Sequence, residues 1–493
     1  MNLCGLLPAT DGILLQGDPH TEIRSLCYDS RAVTQGALFV CLPGQHTDGH
    51  GFAAQAVAAG AAGIVCERPI AGLPGDIPVI QVTHCRRALA QLAIRLYGAP
   101  ARRMTMIGIT GTKGKTTTAH LIAAVLTAAG RRVGLIGTNG VCWPGHRQAL
   151  DHTTPESSDL QLLLRRMADA RCDACVMEVS SLGLKMDRVT GIEYDIGVFT
   201  NLSPDHIGPG EHASFAEYRA WKSVLFRRCR VGIVNADDPQ TEAILNQHSC
   251  RVVRYGIDHP AHWRAAADIT LLQREGFLGV AFTATGPDGP AARYELPMPG
   301  RFSVYNALAA LAAADTLGLP AEAVHAGLSR ATVTGRVEPV PLNAPFTVVL
   351  DYAHNAAAAE SLLATLRAYH PTRLVVVFGC GGGRSRVRRF GMGAACAKWA
   401  DFCILTEDNS RDEPLADILA DIRTGMQHGD PATPFVEIPD RRQALYYALD
   451  HACPGDLIAV IGKGHETTLQ RGNETLPFCE REILQAYMKH KRA

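Results

Sequence analysis

The run Gly108-Ile109-Thr110-Gly111-Thr112-Lys113-Gly114-Lys115-Thr116-Thr117-Thr118 joins an apolar segment to a glycine-rich turn that closes on Gly-Lys-Thr-Thr. Those residue types suit a phosphate cradle. Glycines let backbone N–H groups face phosphate oxygens, Lys115 brings a point charge to the β/γ-phosphates, and the Thr116 hydroxyl is a ligand for Mg²⁺. ATP or GTP is the expected ligand. The strict motif has glycine where this chain has Ile109, with glycines at Gly108 and Gly111 instead, so the turn is a variant. Two more polar clusters end apolar runs. Val176-Met177-Glu178-Val179-Ser180-Ser181 places a carboxylate where a neighbouring strand holds the cradle's metal through hard oxygen, or where a strand meets solvent. Phe199-Thr200-Asn201-Leu202-Ser203-Pro204-Asp205-His206 offers His206 as a metal ligand or as a surface histidine. Lys222, in the stretch Glu217–Phe226, reads as a snorkelling lysine.

For these groups to meet, their strands must end at one edge of a sheet. A strand over Met104–Ile109, a helix over Thr116–Ala129, and strands near Arg132–Ile136, Cys175–Val179, Ile196–Thr200 and Val231–Asn235 alternate as in a doubly wound, mostly parallel sheet. Such a sheet binds ligands at the carboxyl ends of its strands. Ahead of it, strand candidates Ala37–Leu42 and Gly63–Cys66 flank a helical Phe52–Ala59, which reads as a small α/β domain. A helix over Val304–Leu317 and a turn at Thr334–Arg336 close the central block. Strands over Phe346–Asp351, Leu374–Gly379, Phe402–Thr406 and Leu457–Ile461 then build a third α/β domain. The expected division is 1–98, 99–334 and 335–493, and the 493-residue length agrees with it at roughly 150 residues per domain.

Composition bounds the partners. The 48 basic residues balance 48 acidic ones, so no broad field draws in nucleic acid or an anionic membrane. No run approaches about 18 consecutive apolar residues, and the N-terminus lacks a basic flank with an apolar core. A cytoplasmic location is expected, and the fifteen scattered cysteines then read as small buried thiols rather than disulfides.

Five motifs now fall into a known order. Gly111-Thr112-Lys113-Gly114-Lys115-Thr116-Thr117, Glu178-Val179-Ser180-Ser181, Asn201-Leu202-Ser203-Pro204-Asp205-His206, Asp351-Tyr352-Ala353-His354 and Gly462-Lys463-Gly464-His465-Glu466 succeed one another as in Mur ligases. The chain resembles that family over essentially its full length, in particular the members that add the third residue to the cell-wall peptide. The resemblance implies a small N-terminal α/β domain that binds UDP, a central P-loop ATPase domain with a mostly parallel sheet, and a C-terminal Rossmann-like α/β domain. It also implies a reaction. ATP phosphorylates the terminal carboxylate of a UDP-N-acetylmuramoyl dipeptide, and the amine of an incoming diamino acid attacks the acyl phosphate. Catalysis then rests on positioning and on neutralising phosphate charge.

By resemblance, Gly111, Thr112, Lys113, Gly114, Lys115, Thr116 and Thr117 hold the phosphates of ATP, Asn306 and Asp351 lie near the adenosine, Arg336 near the γ-phosphate and His354 near the nucleotide. Thr116, Glu178, His206 and Lys222 match metal positions for Mg²⁺, Lys222 as a carbamate formed with CO₂, because the unmodified cation repels the metal. Lys115, Glu178, His206 and Lys222 are thus the expected catalytic residues. Ser30 in Tyr28-Asp29-Ser30-Arg31, with the segment Leu42–Gly49, is similar to the family's UDP site. Thr153, Thr154, Ser180 and Arg188 are similar to residues that hold the muramoyl peptide, while Leu182, Met186 and Asp187 stand where the family often has His, Gln and His.

The third domain is expected to select the amino acid. Arg384 and Arg411 follow separate polar turns and suit carboxylate recognition, or are two solvated arginines near a basic stretch. By resemblance Arg384, Asp408, Asn409, Arg411, Gly462 and Glu466 hold the incoming residue, and Arg411 favours meso-diaminopimelate, with Ser410 in place of the usual proline. A monomer working on small molecules is expected. The alternatives are L-lysine or another diamino acid, a folylpolyglutamate synthetase, cyanophycin synthetase or neighbouring Mur enzyme, and a nucleotide-binding scaffold without ligation.

Overall fold

Short apolar runs bounded by glycine and polar turns become the strands of mostly parallel sheets, and the class is α/β, as the alternation of elements implies. The computed structural model describes residues 1–492 other than 45, 46, 209, 275, 276 and 288. Gln45 and His46, in the segment expected at UDP, therefore lie outside the described residues. Two compact units form, residues 1–264 with 308–324 and residues 265–307 with 325–493.

The first unit opens with strands β1 (Ile13–Gln16), β2 (Ser25–Cys27), β3 (Ala37–Val40), β4 (Gly63–Cys66) and β5 (Val79–Gln81), in the order β1-β5-β4-β3-β2 with β1 antiparallel at the edge. Apolar layers cover both faces of β3, Leu38 and Val40 in one and Phe39 in the other, so its sequence is an unbroken apolar run. A larger sheet follows, from β6 (Thr105–Thr110), β7 (Val133–Gly137), β8 (Gly140–Trp143), β9 (His146–Gln148), β10 (Ala174–Glu178), β11 (Tyr194–Phe199), β12 (Cys229–Asn235) and β13 (Arg251–Gly256). Its order is β13-β12-β11-β6-β10-β7-β8-β9. β6 lies between β10 and β11, parallel to both, with Ile109 level with Glu178 and Thr110 level with Phe199. That register brings the three polar clusters to one edge.

β14 (Trp263–Ala265) pairs with β13 through Trp263 and Arg264. In the second unit β15 (Thr270–Arg274), β16 (Phe277–Thr285) and β17 (Ala292–Leu296) form an antiparallel ladder. Beyond it, β18 (Glu338–Val340), β19 (Thr347–Asp351), β20 (Leu374–Phe378), β21 (Phe402–Leu405), β22 (Phe435–Glu437) and β23 (Leu457–Ile461) take the order β18-β19-β23-β20-β21-β22, with only β18 antiparallel. Val376 and Phe378 enter one core and Val375 and Val377 the other, the period of a doubly covered strand. A hairpin of β24 (Thr468–Arg471) and β25 (Glu474–Pro477) follows.

The expected strands and helices of the parallel sheets appear with ends displaced by a few residues, while the β15–β17 ladder and the β7–β9 hairpins were not anticipated. β15 shows why, since four of its five residues are exposed and leave no apolar alternation. The helices Arg386–Trp399 and Leu415–Gly429 pack through glycine, a Cβ on Gly393 meeting the Ile422 carbonyl at 2.2 Å. Arg389 is buried at their junction, its terminal nitrogens 2.6 Å from the two Glu413 oxygens and, for one of them, 3.2 Å from Asp421.

The hydrogen bonds from Arg389 hold the Glu413 carboxyl at about 2, below its ordinary 4.5. A depressed carboxyl contributes stability that is complete above pH 4.5 and lost as pH falls toward 2. Urea midpoints measured at pH 6 and pH 3 should therefore show a smaller acid loss in Arg389→Met, from a lower neutral value. Equal acid losses in the two proteins would contradict the assignment.

Candidate active site

The turn after β6 is held in shape before any ligand arrives. Gly111 has φ +148°, and a Cβ there would lie 1.9 Å from the Thr200 hydroxyl. Gly114, at φ +82°, starts the Lys115–Ala128 helix without a side-chain cap, which leaves the helix N–H groups for an anion. The loop after β11 clasps the turn from the side. Asn201 accepts from Thr112 N through its carbonyl at 2.8 Å and from Lys113 N through Oδ1 at 2.9 Å, and Thr200 Oγ1 donates to the Lys113 carbonyl at 2.6 Å. Lys115 Nζ folds back onto the Gly111 and Thr112 carbonyls, 2.9 Å from each.

Glu178 closes β10 and is 1% exposed. Its Oε1 accepts the Thr116 hydroxyl at 2.9 Å and Thr138 N at 2.8 Å, and its Oε2 accepts the Thr138 hydroxyl at 3.3 Å. Thr116 and Glu178 thus present oxygen donors in contact, the set that suits Mg²⁺. Thr138 also lies 3.1 Å from the Thr153 hydroxyl, and Thr154 Oγ1 donates to the Glu178 carbonyl at 3.0 Å and accepts from Ser180 N at 3.0 Å. Ser180 caps the helix Ser181–Lys185, and Arg188 donates to the Thr154 carbonyl at 3.0 Å. Thr153, Thr154, Ser180 and Arg188 are therefore one cluster, beside Glu178. Ser30 lies instead on the turn Ser30–Ala32, 3.4 Å from Gln55.

Lys222 is carried by the helix Phe215–Ser223, which Ser214 caps by accepting Glu217 N while the Glu217 carboxylate accepts Ala213 N just ahead of the cap. The snorkelling reading does not hold. The side chain is 1% exposed, donates to the Gly111 carbonyl at 2.9 Å and lies 4.6 Å from the Tyr218 ring centre. Burial first, and then the Lys115 charge, push its amine well below the ordinary lysine value. The amine is thereby shifted toward its neutral form, the form that attacks CO₂. Tyr218 is buried too, its hydroxyl 3.2 Å from Thr112 Oγ1. His206 has a left-handed φ of +54°, an exposed side chain, Nδ1 2.9 Å from Glu211 and a ring centre 6.0 Å from that of Tyr218.

In the second unit Asn306 is buried on the helix Arg301–Thr316. The Arg336 guanidinium lies 5.0 Å from the Tyr352 ring centre, and Asp351 accepts Val337 N at 2.8 Å and Ala353 N at 2.7 Å. Burial raises the Asp351 carboxyl against the pull of Arg336, and burial lowers the His354 imidazole. Asn409 Nδ2 donates to Glu466 at 2.9 Å, and Gly462, at φ +112°, leaves room for Asp408. Arg411, at φ +52°, donates to the Gly382 carbonyl at 2.5 Å and so ties the Asp408–Arg411 turn to the Gly379–Arg384 turn. Arg384 itself is exposed.

Five residues escaped the sequence reading. Thr138, Thr200, Asn201 and Tyr218 shape the first site, and the buried Lys463 lies 2.9 Å from Glu466 and 3.2 Å from Asn409 Oδ1. The one legible signal was a polar Thr-Asn pair directly after an apolar strand.

A glycine cradle between a central parallel strand and a helix, with a strand-end carboxylate on its threonine, defines a nucleotide-dependent enzyme of the phosphate-loop type. Three family profiles narrow the class: the Mur ligase family catalytic domain over residues 22–97, the Mur ligase middle domain over 109–314 and the Mur ligase glutamate ligase domain over 335–464. The UDP-N-acetylmuramoyl-L-alanyl-D-glutamate–2,6-diaminopimelate ligase of Geobacillus thermodenitrificans is 39% identical, with 100% of both chains covered. The protein of that name from Caldanaerobacter subterraneus subsp. tengcongensis is 39% identical over 95% of each chain. A solved structure of a ligase of the same name matches with a TM-score of 0.68 and 26% identity, covering 100% of this chain and 99% of that one. The chain belongs to the Mur ligase family and is an ATP-dependent ligase.

Gly111→Ala would drive a methyl group into Thr200 and strain the cradle. Its expected effect is an ATP dissociation constant raised about ten-fold or more, read by calorimetry on the folded variant. Unchanged ATP affinity would remove Gly111 from the nucleotide site.

Proposed function

We propose that this ligase joins meso-diaminopimelate to UDP-N-acetylmuramoyl-L-alanyl-D-glutamate in peptidoglycan precursor synthesis, as a cytoplasmic monomer. The observation that carries the substrate choice is the full-length identity to ligases bearing that name. The proposed division of labour is UDP binding by residues 1–98 with Ser30, ATP binding by 99–334, and amino-acid binding by 335–493.

In this reading ATP transfers its γ-phosphoryl group to the terminal carboxylate of the dipeptide, releasing ADP. The diaminopimelate amine then attacks the acyl carbon, phosphate leaves and the amine loses a proton. Residues 111–117 hold the phosphates, Asn306 and Asp351 approach the adenosine, His354 lies near the nucleotide, and Arg336 faces the γ-phosphate, where a guanidinium stabilises charge in transfer. Thr153, Thr154, Ser180 and Arg188 hold the acceptor peptide. Arg384, Asp408, Asn409, Arg411, Gly462 and Glu466 hold the diamino acid. Thr116, Glu178, His206 and carbamylated Lys222 would hold Mg²⁺, which neutralises phosphate charge when bound. Lys222 reaches that state when its neutral amine forms an N–C bond to CO₂ and releases a proton. The buried amine described above favours this step.

Purified protein given ATP, Mg²⁺ and the dipeptide substrate should release ADP and phosphate only when meso-diaminopimelate is supplied, with L-lysine a poorer substitute. Hydrolysis at the same rate without an amino acid would refute ligation. Lys222→Ala should lose ligase activity by about two orders of magnitude and recover part of it in millimolar propionate or formate, which resupply the missing carboxylate. A variant indifferent to the substitution would refute the carbamate.

A further inference from the structure

Glu156 occupies the N-cap of the helix Ser157–Asp169, yet its side chain accepts no N–H from that helix. Two arginines take it instead. Arg86 donates one terminal nitrogen to both carboxylate oxygens at 3.2 Å. Arg188 donates Nε to Oε1 at 2.9 Å, with Nη2 2.8 Å from the same oxygen, and the side chains of Glu156 and Arg188 are each 10% exposed. Arg188 gives its other terminal nitrogen to the Thr154 carbonyl at 3.0 Å, and Arg86 reaches the Pro43 carbonyl at 3.4 Å. The neighbouring Asp159 is occupied by the Tyr28 hydroxyl at 2.6 Å. Contacts therefore run from Pro43 through Arg86, Glu156 and Arg188 to Thr154, and from there to Glu178 and Ser180.

A guanidinium has five N–H donors in a planar fork. Arg188 gives its Nε N–H to Glu156 and one Nη1 N–H to the Thr154 carbonyl, with Nη2 held 2.8 Å from Glu156 Oε1, which fixes its plane and leaves N–H donors on both terminal nitrogens. Two such donors match a carboxylate. We propose that Glu156 is a positioning residue which, anchored by Arg86, fixes Arg188 so that its remaining donors meet a carboxylate of the acceptor peptide. The inference rests on the ligase reading above, in which Arg188 touches that acceptor. A glutamine at this position would turn an amide N–H₂ toward one of the arginines and release the fork.

Calorimetry on the full chain with the UDP-N-acetylmuramoyl dipeptide, UDP and ATP tests the role. Wild type should bind the dipeptide more tightly than UDP. Glu156→Gln should weaken the dipeptide about ten-fold or more while UDP and ATP change less than about three-fold, and should raise KM for the dipeptide more than it lowers kcat. Combined with Arg188→Ala it should add nothing to the loss seen with Arg188→Ala alone. Arg86→Met, which keeps the Glu156–Arg188 contact, should weaken the dipeptide by less than Glu156→Gln. Equal dipeptide affinity in Glu156→Gln and wild type, additive losses, or parallel weakening of all three ligands would overturn the inference alone. Wild type that treats the dipeptide and UDP alike would overturn the ligase reading and this inference with it.

Discussion

Two lysine amines converge on one carbonyl oxygen, that of Gly111, each at 2.9 Å. Two cations on one small dipole repel, and burial decides which gives way. Lys222 is enclosed, so it is the amine pushed toward neutrality, while Lys115 also reaches the Thr112 carbonyl. The carbonyl can face both amines only because Gly111 adopts a conformation that a side chain would forbid. One backbone torsion thereby sets the cradle for phosphate and the chemistry of the lysine behind it.

Glu178 couples that cradle to the proposed acceptor side. A carboxylate has about four acceptor positions, and Glu178 fills three with donors from Thr116 and Thr138. The remaining capacity suits a hard cation, whereas the fixed donors hold the group in one orientation. Through Thr138 and Thr153, and through its own carbonyl and Thr154, the same residue sets the loop that carries the proposed acceptor contacts. The β10–β6 register makes this possible, since a one-residue slip would turn the Glu178 side chain to the opposite face.

The parallel sheets were legible because buried strands such as β20 and β23 are continuous apolar runs ending in glycine or polar turns. β15 was not, because its ladder hydrogen bonds rather than burial define it. Within the site, Lys115, Thr116 and Glu178 were legible from residue type at a strand end. The surroundings of Lys222 support only a snorkelling reading, since a lysine in an apolar turn usually reaches solvent; the resemblance singles the residue out, and the packed structure shows that Tyr218 and the Gly111 loop enclose it. Thr138 and Glu156 act through contacts dozens of residues away in sequence, which no local pattern encodes.

In the proposed reaction, the second unit discriminates by sign of charge. Lys463 is buried beside Glu466 and Asn409, so Glu466 is held in place and paired with a cation before an amino acid binds. Arg411, pinned by Gly382 in a left-handed conformation, sets a cation on the adjoining turn. A diamino acid whose far end bears both an ammonium and a carboxylate satisfies Glu466 and Arg411 together. Lysine offers only the ammonium and would leave the guanidinium without its anion. Discrimination then comes less from a stronger attraction to the diacid than from the cost of an unanswered charge for its competitor.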